Sequence, residues 1–208
     1  MRDDSDLLSA WREGDQDAAR VLFDRHFPAV SRFFANKVGR DADDLIQRTF
    51  EALVVGRDRI TVKASFRSYL FGIAHNILRG HIRTIARDRC VDELSSSVHS
   101  LGLHPELLIG GHEEQRLILE GLRRLPPDGQ ILLELYYWEE LTVSELAGVL
   151  KVAPGTIKSR LNRTRSRLKQ ILEQLTRSRA LLESTTTRLD DWAVQLRGQL
   201  HGRERSSA

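Results

Sequence analysis

One cysteine, one methionine and five prolines occur in 208 residues, and no stretch approaches the roughly 20 consecutive apolar residues that a membrane-spanning helix needs. The lone Cys90 excludes an intrachain disulfide and any Cys-x-x-Cys pair for zinc or redox exchange. His99, His104 and His112 lie close in sequence but lack cysteine or acidic partners at ligand spacing, so no metal and no cofactor is expected. The alternating apolar and polar pattern of strands is also missing. With an acidic, polar start from Met1 to Asp6, these absences predict a soluble cytoplasmic protein with no membrane insertion.

What is present is charge, and it is segregated. Residues 1–60 carry twelve acids and ten bases, 61–90 one acid and six bases, 91–150 eleven acids and three bases, and 151–179 one acid and nine bases. Two basic stretches therefore alternate with acidic ones although the formal net charge is only +3. Such alternation suits two separated surfaces that meet phosphate while other faces meet basic partners or solvent.

Apolar spacing is helical almost throughout and predicts an all-α chain of two helical modules. Leu8 and Trp11, then Ala19, Leu22, Phe23 and Phe27, then Leu45, Ile46, Thr49, Phe50 and Leu53 follow steps of three and four. Gly14, Gly39 and Gly56 punctuate these helices, and a further stripe of Phe66, Tyr69, Leu70, Ile73 and Ile77 runs on into basic sequence. Residues 1–90 read as one bundle. The pattern fails over 91–112, with three consecutive serines, glycines and Pro105, which marks a flexible linker. It resumes over 113–175, interrupted at Pro126-Pro127.

The most specific passage runs from Leu141 to Leu161. Thr142 and Glu145 have capping-box spacing, and Val143, Leu146, Ala147 and Leu150 give the helix that follows one apolar face. A short connection, Lys151 to Ala153, leads to Pro154, whose fixed φ suits a first helical position. The second helix has Ile157, Leu161, Thr164, Leu168 and Leu172 on its buried side and a dense set of cations elsewhere. This is helix-turn-helix organisation, in which the first helix braces a second that enters a major groove about 12 Å wide. Thr156, Ser159, Arg160 and Arg163 are the candidates for reading bases, and Lys158, Arg165 and Arg167 for phosphates.

Leu125-Pro126, Leu132, Tyr136, Glu145-Leu146-Ala147, Pro154-Gly155-Thr156-Ile157-Lys158-Ser159-Arg160-Leu161 and Arg163-x-Arg165 resemble domain four of the extracytoplasmic-function sigma factors. A second, independent resemblance lies upstream. Asp43-Asp44-Leu45-Ile46-Gln47-Arg48-Thr49-Phe50 is similar to that family's polymerase-docking helix, and Phe66 to Asn76 to its promoter-melting helix. The resemblance implies a non-enzymatic protein that lends promoter specificity to RNA polymerase core. Residues 1–90 would be domain two, 113–175 domain four and 176–208 an extension. Asp43, Asp44, Gln47, Phe50 and Glu51 would dock on the clamp of the largest subunit, with domain four on the flap of the second largest. Phe66, Asn76, Arg79 and Arg83 would trap minus-ten DNA, which takes apolar or amide pockets flanked by cations. The loop at about 56–65 would help to choose the flipped base, domain four would read the minus-thirty-five element, and an anti-sigma factor would be the usual regulator.

The chain departs from the family at Tyr69, where Trp is usual, at His75, where Arg is common, at Gly80, where Asp is common, and at Ala153, where a capping Ser is usual. Gly80 predicts a bend or an end in the melting helix, because glycine inside a helix costs about 1 kcal/mol against alanine. Beyond about Leu175, Leu189, Trp192, Ala193, Leu196 and Leu200 predict a further amphipathic helix that folds back on the chain or docks a regulatory protein, with a disordered tail as the alternative. Two other readings stay open from the residues alone. One is a stand-alone helix-turn-helix regulator with 1–90 as a sensing or dimerising domain. The other is a nuclease drawing on Asp41, Asp43 and Asp44.

Overall fold

The computed structural model describes residues 2–60, 65–88 and 113–176. Cys90, the linker at 91–112 and the amphipathic stretch from Leu189 to Leu200 lie outside the described residues. Every regular element among the described residues is helical: α1 (Asp4–Arg12), α2 (Gln16–Val38), α3 (Ala42–Gly56), α4 (Phe66–Asp88), α5 (Glu113–Arg123), α6 (Pro127–Tyr137), α7 (Val143–Leu150) and α8 (Pro154–Leu175), with short 3-10 turns at Gly39–Asp41 and Arg57–Arg59. The chain divides into two compact units, one taking in α1 to α4 with α7, the other α5, α6 and α8.

In the first unit, two side-chain caps start the first two helices. The Asp3 carboxylate accepts from the amide of Asp6 at 2.8 Å and that of Asp15 from Ala18 at 3.0 Å, each satisfying an orphan donor of the first turn. Gly14 and Gly39 take φ of 106° and 57° between these helices, a backbone region that side chains disfavour. Leu22, Phe33, Phe34, Leu45, Leu53, Leu70, Phe71 and Leu78 are fully buried where α2, α3 and α4 meet. Phe71 meets Phe33 edge-on at 5.7 Å, the arrangement that ring quadrupoles favour. Pro28 sits inside α2, where its missing N–H leaves the carbonyl of Asp24 without its helical donor.

Helix α4 runs through Gly80 to Asp88 without ending there, and the Thr84 hydroxyl donates to the Gly80 carbonyl at 3.1 Å. Of the bend or end expected at Gly80, the end does not occur. Packing of Leu70, Phe71, Ala74 and Leu78 upstream, all fully buried, outweighs the local cost of one glycine.

In the second unit α5 and α6 pack on α8 around Leu119, Leu122, Leu132, Ile157, Leu168 and Leu172. Gly121 allows the close approach of α5 and α8, since a Cβ there would stand 2.7 Å from a methyl of Leu172. The Gln130 side chain donates to the carbonyls of Arg123 and Leu125 at 3.2 and 2.9 Å, which closes the end of α5 across the Pro126-Pro127 junction. Helix α7 opens at Val143 and so leaves Thr142 at the cap position. The connection to α8 turns through Lys151 in the left-handed region, φ 54°, and Pro154 stands in the first turn of α8 as its sequence predicts.

Candidate functional site

Helix α8 separates its two duties by face. Ile157, Leu161, Leu168, Ile171 and Leu172 are buried, whereas Lys158, Ser159, Arg160, Arg163 and Arg167 are exposed and Thr156 is half-buried near its N-terminus. Lys158, Arg160, Arg163 and Arg167 have no hydrogen-bond or ion-pair partner among the described residues. Arg165 differs from its neighbours. Its Nε donates to the Tyr137 hydroxyl at 2.9 Å, and its guanidinium lies 5.3 and 5.4 Å from the ring centroids of Tyr136 and Tyr137. Burial draws its pKa down, but the contacts with Tyr137 and then Tyr136 prevail and leave it above the ordinary arginine value. That guanidinium is held against α6 by cation–π and hydrogen-bond contacts.

On α4, Asn76, Arg79 and Arg83 are exposed, and Arg79 and Arg83 are likewise without partners among the described residues. Spacings of three and four residues place all three along one side of the helix. Phe66 is not with them. It is buried, 4% exposed, with its ring 5.1 Å from that of His26 on α2, because it heads the apolar stripe that faces the core. Tyr69, in place of the family's Trp, donates its hydroxyl to the Gly56 carbonyl at 3.1 Å. His75 is buried.

The docking candidates border a groove of about 610 Å³ between α2 and α3. Its floor is Phe23, Phe27, Ile46, Phe50 and Val54, and its rim carries Asp24, Asp43, Gln47 and Glu51. Gln47 donates to the Glu51 carboxylate at 2.8 Å. The ring of Phe50 lies 5.3 Å from Phe23 and 5.9 Å from Phe27. Asp44 is outside this groove and pairs with Arg48 one turn on, at 3.5 Å. Phe27, placed by its spacing among buried positions, is 51% exposed, and Val54 is 46% exposed. Of the part of α2, Phe23 and Phe27 are legible in the sequence only as an apolar stripe, and Asp24 is not singled out by it. A stripe wider than the core beneath it was the available signal.

Among the described residues no group of three or more His, Cys, Asp and Glu gathers where a metal could be held, and no helix is long and apolar enough to cross a membrane. The acids of the 41–44 segment face solvent or Arg48, with His81 Nε2 3.3 Å from Asp41.

Two family models match this chain: sigma-70 region 2 over residues 22–89 and sigma-70, region 4 over residues 115–168. It is 30% identical over 178 residues to the RNA polymerase sigma factor CarQ of Myxococcus xanthus, an alignment that spans 81% of this chain and 97% of that protein. To the ECF RNA polymerase sigma factor SigW of Bacillus subtilis it is 26% identical over 175 residues, 79% and 94% of the two chains. Two solved structures share the fold. One is CnrH in complex with the cytosolic domain of CnrY, with a TM-score of 0.59 and 23% identity over 83% of this chain and 99% of that one. The other is the sigma factor RpoE of Bartonella quintana in complex with the anti-sigma factor NepR, with a TM-score of 0.61 and 24% identity over 74% and 96%.

Proposed function

The chain belongs to the extracytoplasmic-function sigma factors, with sigma-70 regions 2 and 4, and directs promoter-specific initiation by RNA polymerase; we propose that it does so through the groove and the two cationic helix faces described above. The groove between α2 and α3 takes the clamp of the polymerase's largest subunit. Its apolar floor supplies buried area, and Asp43, Gln47 and Glu51 on the rim meet basic or amide groups, while Asp44 adds charge outside it. Asn76, Arg79 and Arg83 engage minus-ten DNA, while Phe66, buried against His26, supports the start of α4. Thr156, Ser159, Arg160 and Arg163 read minus-thirty-five bases, and Lys158 and Arg167 hold phosphates while Arg165 fixes α8 on α6.

The division of the chain is 1–90 for domain two, 91–112 for a linker, 113–175 for domain four, which would also meet the flap of the second largest subunit, and 176–208 for an extension. Sigma factors are not enzymes, and the catalytic step belongs to the polymerase. An anti-sigma protein would act by covering the same groove, since its apolar floor, with the half-exposed side chains Phe27 and Val54, would leave water when covered.

One observation carries this reading. Lys158, Arg160, Arg163 and Arg167 on α8, with Arg79 and Arg83 on α4, stay exposed and without a hydrogen-bond or ion-pair partner among the described residues, in a chain that has 29 acids. Cations kept off carboxylates on patterned helix faces are suited to phosphate. Run-off transcription with core polymerase tests the whole. Asp43→Arg is expected to abolish transcripts from every promoter, and Arg160→Ala to weaken them roughly tenfold or more where the minus-thirty-five element is needed. Tight operator binding without polymerase, and no core-dependent initiation, would overturn it in favour of a stand-alone regulator.

A further inference from the structure

Helix α6 grips α8 at two points, one on each side of the apolar row that α8 turns to the core. Successive residues of an α-helix are rotated by about 100°, so Thr164 and Arg165 stand on opposite flanks of the row formed by Leu161, Leu168 and Leu172. Both are half-buried. At Thr164 the two helices come close, since a Cβ on Gly129, in the first turn of α6, would stand 3.1 Å from the Thr164 methyl. At Arg165 the hold is polar. Its Nε donates to the Tyr137 hydroxyl at 2.9 Å, and its guanidinium lies against the rings of Tyr136 and Tyr137 at the other end of α6. Apolar contact has no preferred direction, whereas a charge-assisted hydrogen bond does, so the polar hold adds an angle that the core alone does not fix.

This grip lies away from the face of α8 that carries the candidates for reading bases. Thr156, Ser159, Arg160 and Arg163 all stand about 120° or more around the helix from Arg165. The guanidinium of Arg165 is engaged on α6, whereas Arg160, Arg163 and Arg167 make no hydrogen bond or ion pair among the described residues. What the grip controls is rotation of α8 about its own axis. A turn of about 20° carries an atom about 6 Å from the axis through about 2 Å. Hydrogen bonds are confined to a range of roughly 0.5 Å in length, so such a turn exchanges one set of base contacts for another.

We propose that Arg165, Tyr136 and Tyr137 are positioning residues for minus-thirty-five discrimination, a role that rests on reading the exposed Arg160 and Arg163 of the helix-turn-helix as base contacts. By fixing the rotation of α8 they decide which base edges those two arginines meet. Loosening the grip lets α8 sample several rotations. Contacts with the preferred sequence then weaken, while attraction to phosphate, which follows charge more than angle, persists. Discrimination falls before affinity does.

The test is binding of reconstituted holoenzyme to promoters that differ only at the minus-thirty-five element, scored as the affinity ratio between preferred and second-best sequence and repeated across salt concentrations. Arg165→Lys keeps the charge but loses the fork and its Nε donor, and Tyr137→Phe keeps the ring but loses the acceptor. The ratio is expected to fall roughly tenfold in Arg165→Lys, as for the loss of one base contact, and roughly threefold in Tyr137→Phe, with the salt slope unchanged in both. An arginine that only neutralised phosphate would tolerate Arg165→Lys with the ratio intact, and Tyr137→Phe would be silent; that result overturns the inference. A brace that only stabilised the fold would lower the melting temperature in both variants and leave the ratio alone, which overturns it as well. Arg160→Ala and Arg163→Ala separate this failure from that of the underlying reading. If they leave minus-thirty-five preference intact, α8 does not read bases through them and the inference falls with that reading. Should Arg165→Lys not fold, Tyr137→Phe decides on its own: a lowered ratio supports the brace, an unchanged one refutes it.

Discussion

At the scale of single residues, Asp4 shows how a short helix is tied into the first unit. Burial pushes its carboxyl pKa up, but the bond and charge of His26 and then of Arg25 hold it below the ordinary carboxylate value. A group whose folded pKa is depressed contributes stability above its unfolded pKa, and that contribution is lost as pH falls through the folded value. Urea midpoints measured from pH 7 downward are therefore expected to fall below about pH 4, and to fall less steeply in Asp4→Asn, which has no carboxylate to protonate. Equal acid limbs in the two proteins would show that the contact contributes nothing. Neither this contact nor the bond between Arg165 and Tyr137 was legible in the sequence. Both join residues more than twenty positions apart, and periodicity reports only which side of a helix is apolar.

Among elements, the sequence was far more informative. Apolar spacing and Gly14, Gly39 and Pro154 marked most of the helices and their ends, because local backbone preferences and burial agree there. It misjudged two positions for tertiary reasons. Phe27 keeps helical spacing yet lies on the edge of the α2 stripe, stacked on Phe50 of α3 but half exposed in the groove, and Gly80 weakens α4 locally without ending it. Helix α8 keeps a defect that the sequence did announce: Ala153 has extended backbone at the N-cap, φ −65° and ψ 146°, with no side-chain acceptor for the first turn. Ala153→Ser is expected to raise stability by about 1 kcal/mol in urea denaturation, with the denaturant slope unchanged. A null result would mean that Pro154 and burial already fix the start of this helix.

For the molecule as a whole, the pattern of cations that have no partner among the described residues sets the response to salt. Each phosphate neutralised adds about −0.9 to the slope of log affinity against log salt, so Arg167→Ala is expected to make holoenzyme binding to promoter DNA less salt-dependent by about one unit. Arg165→Ala should behave differently, lowering the melting temperature through loss of Tyr136 and Tyr137 while changing the slope less. Identical effects of the two substitutions would erase the distinction drawn between them. The same division of labour shapes how such a protein can diverge. Exposed Arg160, Arg163 and Arg167 make no hydrogen bond or ion pair among the described residues, so replacing them costs the fold little, within about 0.5 kcal/mol. Successive generations can therefore rewrite what α8 reads without passing through unstable ancestors, whereas any change at Leu161, Leu168 or Leu172 must first survive the loss of core.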